Sequence, residues 1–184
     1  MITIREADTR DIQLLQAIGC ATYREHFSSI WSSAGLQQFL NQDFAPEHLA
    51  QSLDARHSHL WLLALDAQQP IGFAKLNWRR PVPGSEASGA ELQKIYLLKS
   101  QAGKGYGRRL LQHVLQRASD AGETCLWLDV LKSNSGARRF YESAGLRQIS
   151  EVPFNTDLEQ IGMWVMARDL PLPKQPQATK DPAP

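Results

Sequence analysis

Cysteine is scarce, neither sign of charge is in excess and no long apolar run occurs; each absence removes a class of protein. The 184 residues include 2 cysteines, Cys20 and Cys125, far apart in the chain, so no disulfide framework is expected and a reduced, cytoplasmic setting is. Against 20 Lys and Arg stand 19 Asp and Glu, and a formal net charge of +1 gives no global footprint for nucleic acid, so basic groups must act locally. No apolar stretch approaches the roughly 18 residues that cross a bilayer, and Met1-Ile2-Thr3-Ile4-Arg5 lacks the apolar segment of a secretion signal. No membrane partner is expected. Internal repeats are absent, and His57 and His59, two apart, have no third ligand nearby, so no metal site is expected either.

What is present is an ordinary globular composition, 42% hydrophobic and 21% charged, long enough for one core. One domain over residues 1–170 is expected, followed by a Pro-rich tail over 171–184 that cannot bury enough surface to order itself. Ile2 and Ile4 alternate as a short strand, and Asp8 or Thr9 can cap a helix carrying Ile12, Leu14, Leu15, Ile18 and Ala21. Irregular helices follow to His59, one starting at Ser32 or Ser33 and another at Pro46. Leu60 to Leu65 and Ile71 to Leu76 read as a hairpin, and Arg79 to Gly89 as an exposed loop. In Ala90 to Leu97, Leu92 and Ile95 are three apart. Both can face the core only across a β-bulge near Gln93 and Lys94. A helix with Leu110, Leu111, Val114, Leu115 and Ala118 in one stripe leads to the buried strand Cys125 to Val130, parallel to the strand before it. Asn134 and its neighbours cap a further helix, and two strands, Leu146 to Val152 and Gly162 to Ala167, close the pattern around the loop Pro153 to Gln160.

The chain is organised around Gly103-Lys104-Gly105-Tyr106-Gly107, where an apolar strand turns into an amphipathic helix. Alternate glycines let the backbone approach a bulky anion, and the free N–H groups of a helix start favour negative charge. The same glycines also suit a plain chain reversal. A dinucleotide fingerprint G-x-G-x-x-G fails at Arg108, and a P-loop fails because no Ser or Thr follows a Gly-Lys pair.

Two stretches resemble the GNAT acetyltransferase superfamily. Its acetyl-CoA pyrophosphate motif runs Arg or Gln, two spacers, Gly, one spacer, Gly or Ala; Gly105-Tyr106-Gly107 matches it with Leu110 beyond, while Ala102 departs from the first position. Asn134-Ser135-Gly136-Ala137-Arg138-Arg139-Phe140-Tyr141-Glu142-Ser143-Ala144-Gly145-Leu146 matches the superfamily's second pattern at every specified position. The resemblance implies an α+β (α/β) GNAT fold: a mixed, mostly antiparallel central sheet of six to seven strands, splayed between two parallel strands and flanked by helices. It also looks, more weakly, like the PaiA-type polyamine acetyltransferases.

That resemblance implies acetyl-CoA as co-substrate and a direct attack by a primary amine. The pantetheine arm would run beside Ile95, Tyr96 and Leu97, and the pyrophosphate would sit on Ala102, Gly103, Lys104, Gly105, Tyr106, Gly107 and Arg108, with Asn134 and Ala137 on the facing helix. The N–H near Tyr96 or Leu97 would stabilise developing oxyanion charge, Tyr141 would be the general acid for the departing thiolate, and Glu91 is the candidate base. The acceptor pocket would be built by the helices from Tyr23 to Leu53 and the loops at Arg79 and Pro153, with Glu25, Asp43, Glu47, Asp157 and Glu159 as local carboxylates. A polyamine or other small amine is the expected acceptor. A peptide N-terminus and a catalytically silent acyl-CoA-binding module are the alternatives, and a homodimer is left open.

Overall fold

The computed structural model describes residues 2–171. β1 (Ile2–Glu6) turns through an Asp8 capping box into α1 (Ile12–Phe27), and α2 (Ser33–Asp43) and α3 (Pro46–Asp54) follow. The Ser32 hydroxyl accepts the Gly35 N–H at the start of α2, and Pro46 occupies the first turn of α3, where its missing N–H costs nothing. Then come β2 (His59–Asp66), β3 (Gln69–Pro81), β4 (Ser88–Leu97), α4 (Tyr106–Asp120), β5 (Cys125–Leu131), α5 (Ser135–Ser143), β6 (Arg147–Asn155) and β7 (Gln160–Asp169). Among the described residues no helix is long and apolar enough to cross a membrane.

The strands form one sheet in the order β1-β2-β3-β4-β5-β7-β6, antiparallel throughout except between β4 and β5. That is the expected mixed sheet, with seven strands. The parallel ladder consists of Ala90 opposite Leu126 and Glu91 opposite Trp127, although β4 continues to Leu97 and β5 to Leu131. The two strands therefore part beyond Glu91, and the sheet splits open at its centre.

Each face of the sheet carries its own core. On one, Leu110, Leu111, Val114 and Ala118 of α4 cover Leu62, Leu76, Leu92, Leu126 and Leu128. On the other, Leu15, Leu40 and Leu49 of α1, α2 and α3 cover Trp61, Leu63 and Phe73. A fully buried Leu or Phe contributes roughly 1.5–3 kcal/mol, far more than helix propensity does, so these stripes decide where the helices lie.

The expected bulge is present. Lys75 lies opposite Lys94 but Leu76 lies opposite Leu92, so Gln93 is the extra residue. It keeps Leu92, Ile95 and Leu97 against the α4 core while Glu91, Lys94 and Tyr96 share the α1–α3 face.

Several boundaries differ from the sequence expectation. Arg79 to Gly89 is not one exposed loop: β3 runs to Pro81 and β4 begins at Ser88. The Arg79 N–H donates to Glu123 Oε1 at 3.0 Å, and Gly89 is buried so closely on Cys125 that a Cβ would lie 2.3 Å from its sulfur. β6 and β7 likewise extend to Asn155 and back to Gln160, which leaves a four-residue tip where a longer loop was expected. Leu14 is exposed, because the buried stripe of α1 runs through Leu15, Ile18, Thr22 and Tyr23 and Leu14 falls at its edge. The expected tail, beyond Pro171, lies outside the described residues.

Candidate active site

The glycine turn stands at the open end of the splay. Gly103 and Gly105 have φ of +75° and +76°, in the left-handed region where only glycine is unstrained, and open space lies where their side chains would be. Gly105 is the N-cap of α4 and supplies no side chain, so the N–H groups of Tyr106, Gly107 and Arg108, which by helix geometry have no partner in the preceding turn, are left for a ligand. They border a cleft of about 700 Å³. This backbone cradle fits a phosphate group. α1 braces it from behind: the Lys99 N–H donates to Glu25 Oε2 at 2.7 Å, and His26 Nε2 lies 2.9 Å from the Leu97 carbonyl oxygen.

The structure brings nearly all the sequence-derived cofactor residues to this cleft. Ile95, Tyr96 and Leu97 line it from β4, and Ala102, Gly103, Gly105, Tyr106, Gly107 and Arg108 from the turn and α4. Asn134, Ala137 and Tyr141 line the facing wall. Lys104 does not line it; its ammonium turns to Gln101 Oε1 at 2.9 Å. Asn134 spends its side-chain oxygen on the Ala137 N–H at 3.0 Å, capping α5. The Tyr141 hydroxyl makes no hydrogen bond among the described residues, and burial, with Tyr96 second, raises its pKa above the ordinary tyrosine value. It keeps its proton at neutral pH. A larger cavity of about 880 Å³ lies between α4, α5 and the β6–β7 hairpin, but it includes none of the turn's glycines.

Glu91 is not in this cleft. It lines a second cavity of about 280 Å³ on the α1–α3 face, and the two cavities share Phe27, Tyr96 and Leu131. Glu91 Oε2 accepts from Asn77 Nδ2 at 2.7 Å and lies 3.8 Å from Arg80 Nε. The same cavity holds Asp129, whose carboxyl is pushed up to about 6 by burial, with the Glu91 charge adding. Sequence reading missed Asp129. The available signal was a lone carboxylate inside the buried strand Cys125-Leu126-Trp127-Leu128-Asp129-Val130. Also missed was a buried network: Lys94 pairs with Asp43 at 2.6 Å and donates to the Tyr23 hydroxyl at 3.2 Å, and the Tyr23 and Tyr96 rings meet edge-on at 5.0 Å. Lys75, opposite Lys94, is pushed down to about 8 by burial first and by Lys94 second.

Of the other expected acceptor-site carboxylates, Asp43 alone lines this cavity. Glu25 holds the Lys99 N–H, and Asp157 accepts from the Ser32 hydroxyl and, at 3.0 Å, from the Ser32 N–H. Arg79 to Gly89 contributes nothing to the cavity wall.

A split sheet with a phosphate cradle on one side and a carboxylate-bearing cavity on the other is the architecture of an acyl-group transferase with two substrates. The family model for the acetyltransferase (GNAT) family matches residues 18–146, and the chain belongs to that family. It is an N-acetyltransferase with acetyl-CoA as co-substrate. An uncharacterised N-acetyltransferase of Lactobacillus delbrueckii subsp. lactis is 26% identical over 154 residues, 83% of this chain and 88% of its own length. Another, from Mycobacterium tuberculosis, is 30% identical over 138 residues, 68% of this chain and 85% of its own. Among solved structures, the PaiA N-acetyltransferase of Thermoplasma acidophilum in complex with coenzyme A superimposes with a TM-score of 0.74 at 21% identity, over 92% of this chain and 99% of that one. The ribosomal-protein-S18-alanine N-acetyltransferase of Escherichia coli gives 0.68 at 22%, over 95% and 97%.

Proposed function

We propose that this protein transfers the acetyl group of acetyl-CoA to a small primary amine, with the cofactor in the glycine-turn cleft and the amine in the carboxylate-bearing cavity. The observation that carries the reading is the meeting of the two cavities at Phe27, Tyr96 and Leu131, where β4 and β5 have parted. Acetyl-CoA, when bound, supplies an activated thioester carbonyl. The backbone N–H groups of 105–108 hold its pyrophosphate, with Arg108 adding charge, while Lys104 takes that role only by leaving Gln101. Beyond Glu91 the β5-facing edge of β4 has no strand partner, which suits both the pantetheine amides and an N–H donor near Tyr96 or Leu97 for the charge that develops on the carbonyl oxygen.

A free alkylamine has a pKa near 10.4 and arrives as the ammonium, so attack requires a proton acceptor. Glu91 and Asp129, both in the wall of the amine cavity, fill that role directly or through a water, and burial raises the proton affinity of Asp129. On the opposite side Tyr141, neutral and without a hydrogen bond among the described residues, donates its proton to the departing sulfur. The acceptor is a small amine, the class in which the sequence placed polyamines. A peptide N-terminus is the alternative acceptor. Cys20 and Cys125 are both free thiols, which supports a cytoplasmic setting.

Two measurements on the full chain test the proposal: the melting temperature with and without acetyl-CoA, and thiol release when an amine is added. A transferase raises the first and gives the second. A shift without thiol release from any amine identifies a silent acyl-CoA-binding module, and a shift with NAD or ATP in place of acetyl-CoA overturns the reading.

A further inference from the structure

The amine cavity has an uneven wall. On one side the Trp31 ring lies 5.4 Å from Phe39 and meets Phe154 edge-on at 6.2 Å, and Phe39 is stacked on Tyr23 at 5.3 Å. On the other side are three carboxylates that differ in how far they are already satisfied. Asp43 is paired with the buried Lys94 at 2.6 Å, and Glu91 is held by Asn77 with Arg80 Nε at 3.8 Å. Asp129 is exposed to solvent, has no ion pair or hydrogen bond among the described residues, and its only charge interaction of note is the repulsion of Glu91.

Lys94 is paired with Asp43 and Arg80 lies beside Glu91, so Asp129 is the carboxylate of the three without a paired cation. A second ammonium group on the same ligand would meet Lys94, with Lys75 behind it, or the ring cluster, where cation–π attraction is weaker than the hydration given up. The cavity, at about 280 Å³, is also just below the low end of the roughly 300–1,000 Å³ range of ligand pockets. At the β6–β7 tip the Ser32 N–H and hydroxyl both donate to Asp157, which joins two elements 125 residues apart.

We infer that the acceptor is a compact monoamine with an apolar, aryl-bearing body, its ammonium held between Asp129 and Glu91 and its body against Trp31, Phe39 and Phe154, rather than a polyamine or a peptide N-terminus. The inference rests on the acetyl-transfer reading and narrows it. Asp129 is the specificity-determining residue: it is the one carboxylate of the three with no cation or donor already engaged.

The test offers the full-length protein acetyl-CoA with 2-phenylethylamine, hexylamine, spermidine or an alanine-headed pentapeptide, and reads kcat/KM from thiol release. 2-Phenylethylamine should exceed spermidine and the peptide by at least about tenfold, with hexylamine between. Asp129→Asn should raise KM for 2-phenylethylamine by about tenfold or more while the melting shift with acetyl-CoA stays at the wild-type value, and Asp129→Glu should recover part of the loss. Spermidine or the peptide equalling the aryl amine overturns the inference and leaves the transfer reading standing, as does an unchanged KM in Asp129→Asn. No melting shift with acetyl-CoA and no thiol release from any amine removes the transfer reading, and this inference with it.

Discussion

In the proposed transfer Tyr141 and Asp129 act from opposite cavities, and burial raises the pKa of both, with opposite uses. A raised pKa keeps the Tyr141 hydroxyl protonated and ready to donate, so Tyr141→Phe should slow turnover by roughly 10²-fold and leave the acetyl-CoA melting shift nearly unchanged. For Asp129 the raised value means that the carboxylate is lost earlier than usual as pH falls. Activity on the amine should therefore rise with pH through about 6. Because Glu91 is the secondary cause and burial the first, Glu91→Gln should move that acid limb to lower pH without returning it to the value of a free aspartate. A pH profile of kcat/KM for both proteins checks the sign. At this scale the positions of motif residues were legible, since Tyr141 and Ala137 line the cleft as the pattern implied. The sequence was opaque where the role depends on which neighbours are already engaged: Lys104 is drawn to Gln101, Asn134 is spent on a cap, and Asp129 is distinguished by having no ion-pair partner.

Three local elements set these residues in place. The bulge at Gln93 puts Glu91, Lys94 and Tyr96 on one face, where a regular strand would have put Glu91 opposite to Lys94 and Tyr96. It was readable in advance, because Leu92 and Ile95 are both apolar and three apart. The start of α4 depends on Gly105 at φ +76°, and an added methyl there meets no atom within 4 Å, so Gly105→Ala tests backbone strain by itself. A left-handed alanine costs about 1 kcal/mol, which should lower the melting temperature by roughly 2–4 °C and reduce the further rise that acetyl-CoA produces. The third element is the clasp of Ser32 on Asp157. Ser32→Ala removes the N-cap of α2 together with the hydroxyl half of the clasp and should cost about 1 kcal/mol in a denaturant titration. Since both side chains belong to one network, Ser32→Ala and Asp157→Ala together should cost less than their sum. This contact joins segments far apart in sequence, and neither segment carries a sign of it alone.

For the molecule as a whole, function follows from one interruption in an otherwise continuous sheet. Two cores hold α4 on one face and α1 to α3 on the other, and where β4 and β5 part the two cavities share Phe27, Tyr96 and Leu131. The order of strands and helices was legible because the apolar periods switch cleanly and several helices carry a start signal in the sequence, Ser32, Pro46 and Asn134 among them. Strand lengths were less so. Pro81, Gly89 and Pro153 read as loop residues, yet each lies within a strand, held by pairing or by close packing on a partner remote in sequence. The division of labour between the two cavities was also out of reach, since Glu91 and the glycine turn are neighbours in sequence and stand on opposite faces in space. The central claim is that both cavities serve one transfer. It is tested most directly by incubating the full-length protein with acetyl-CoA and 2-phenylethylamine and quantifying free CoA and N-acetylated amine together. The account predicts equal amounts of both, formed at a rate that Tyr141→Phe depresses; free CoA with no acetylated amine, or neither product, would contradict it.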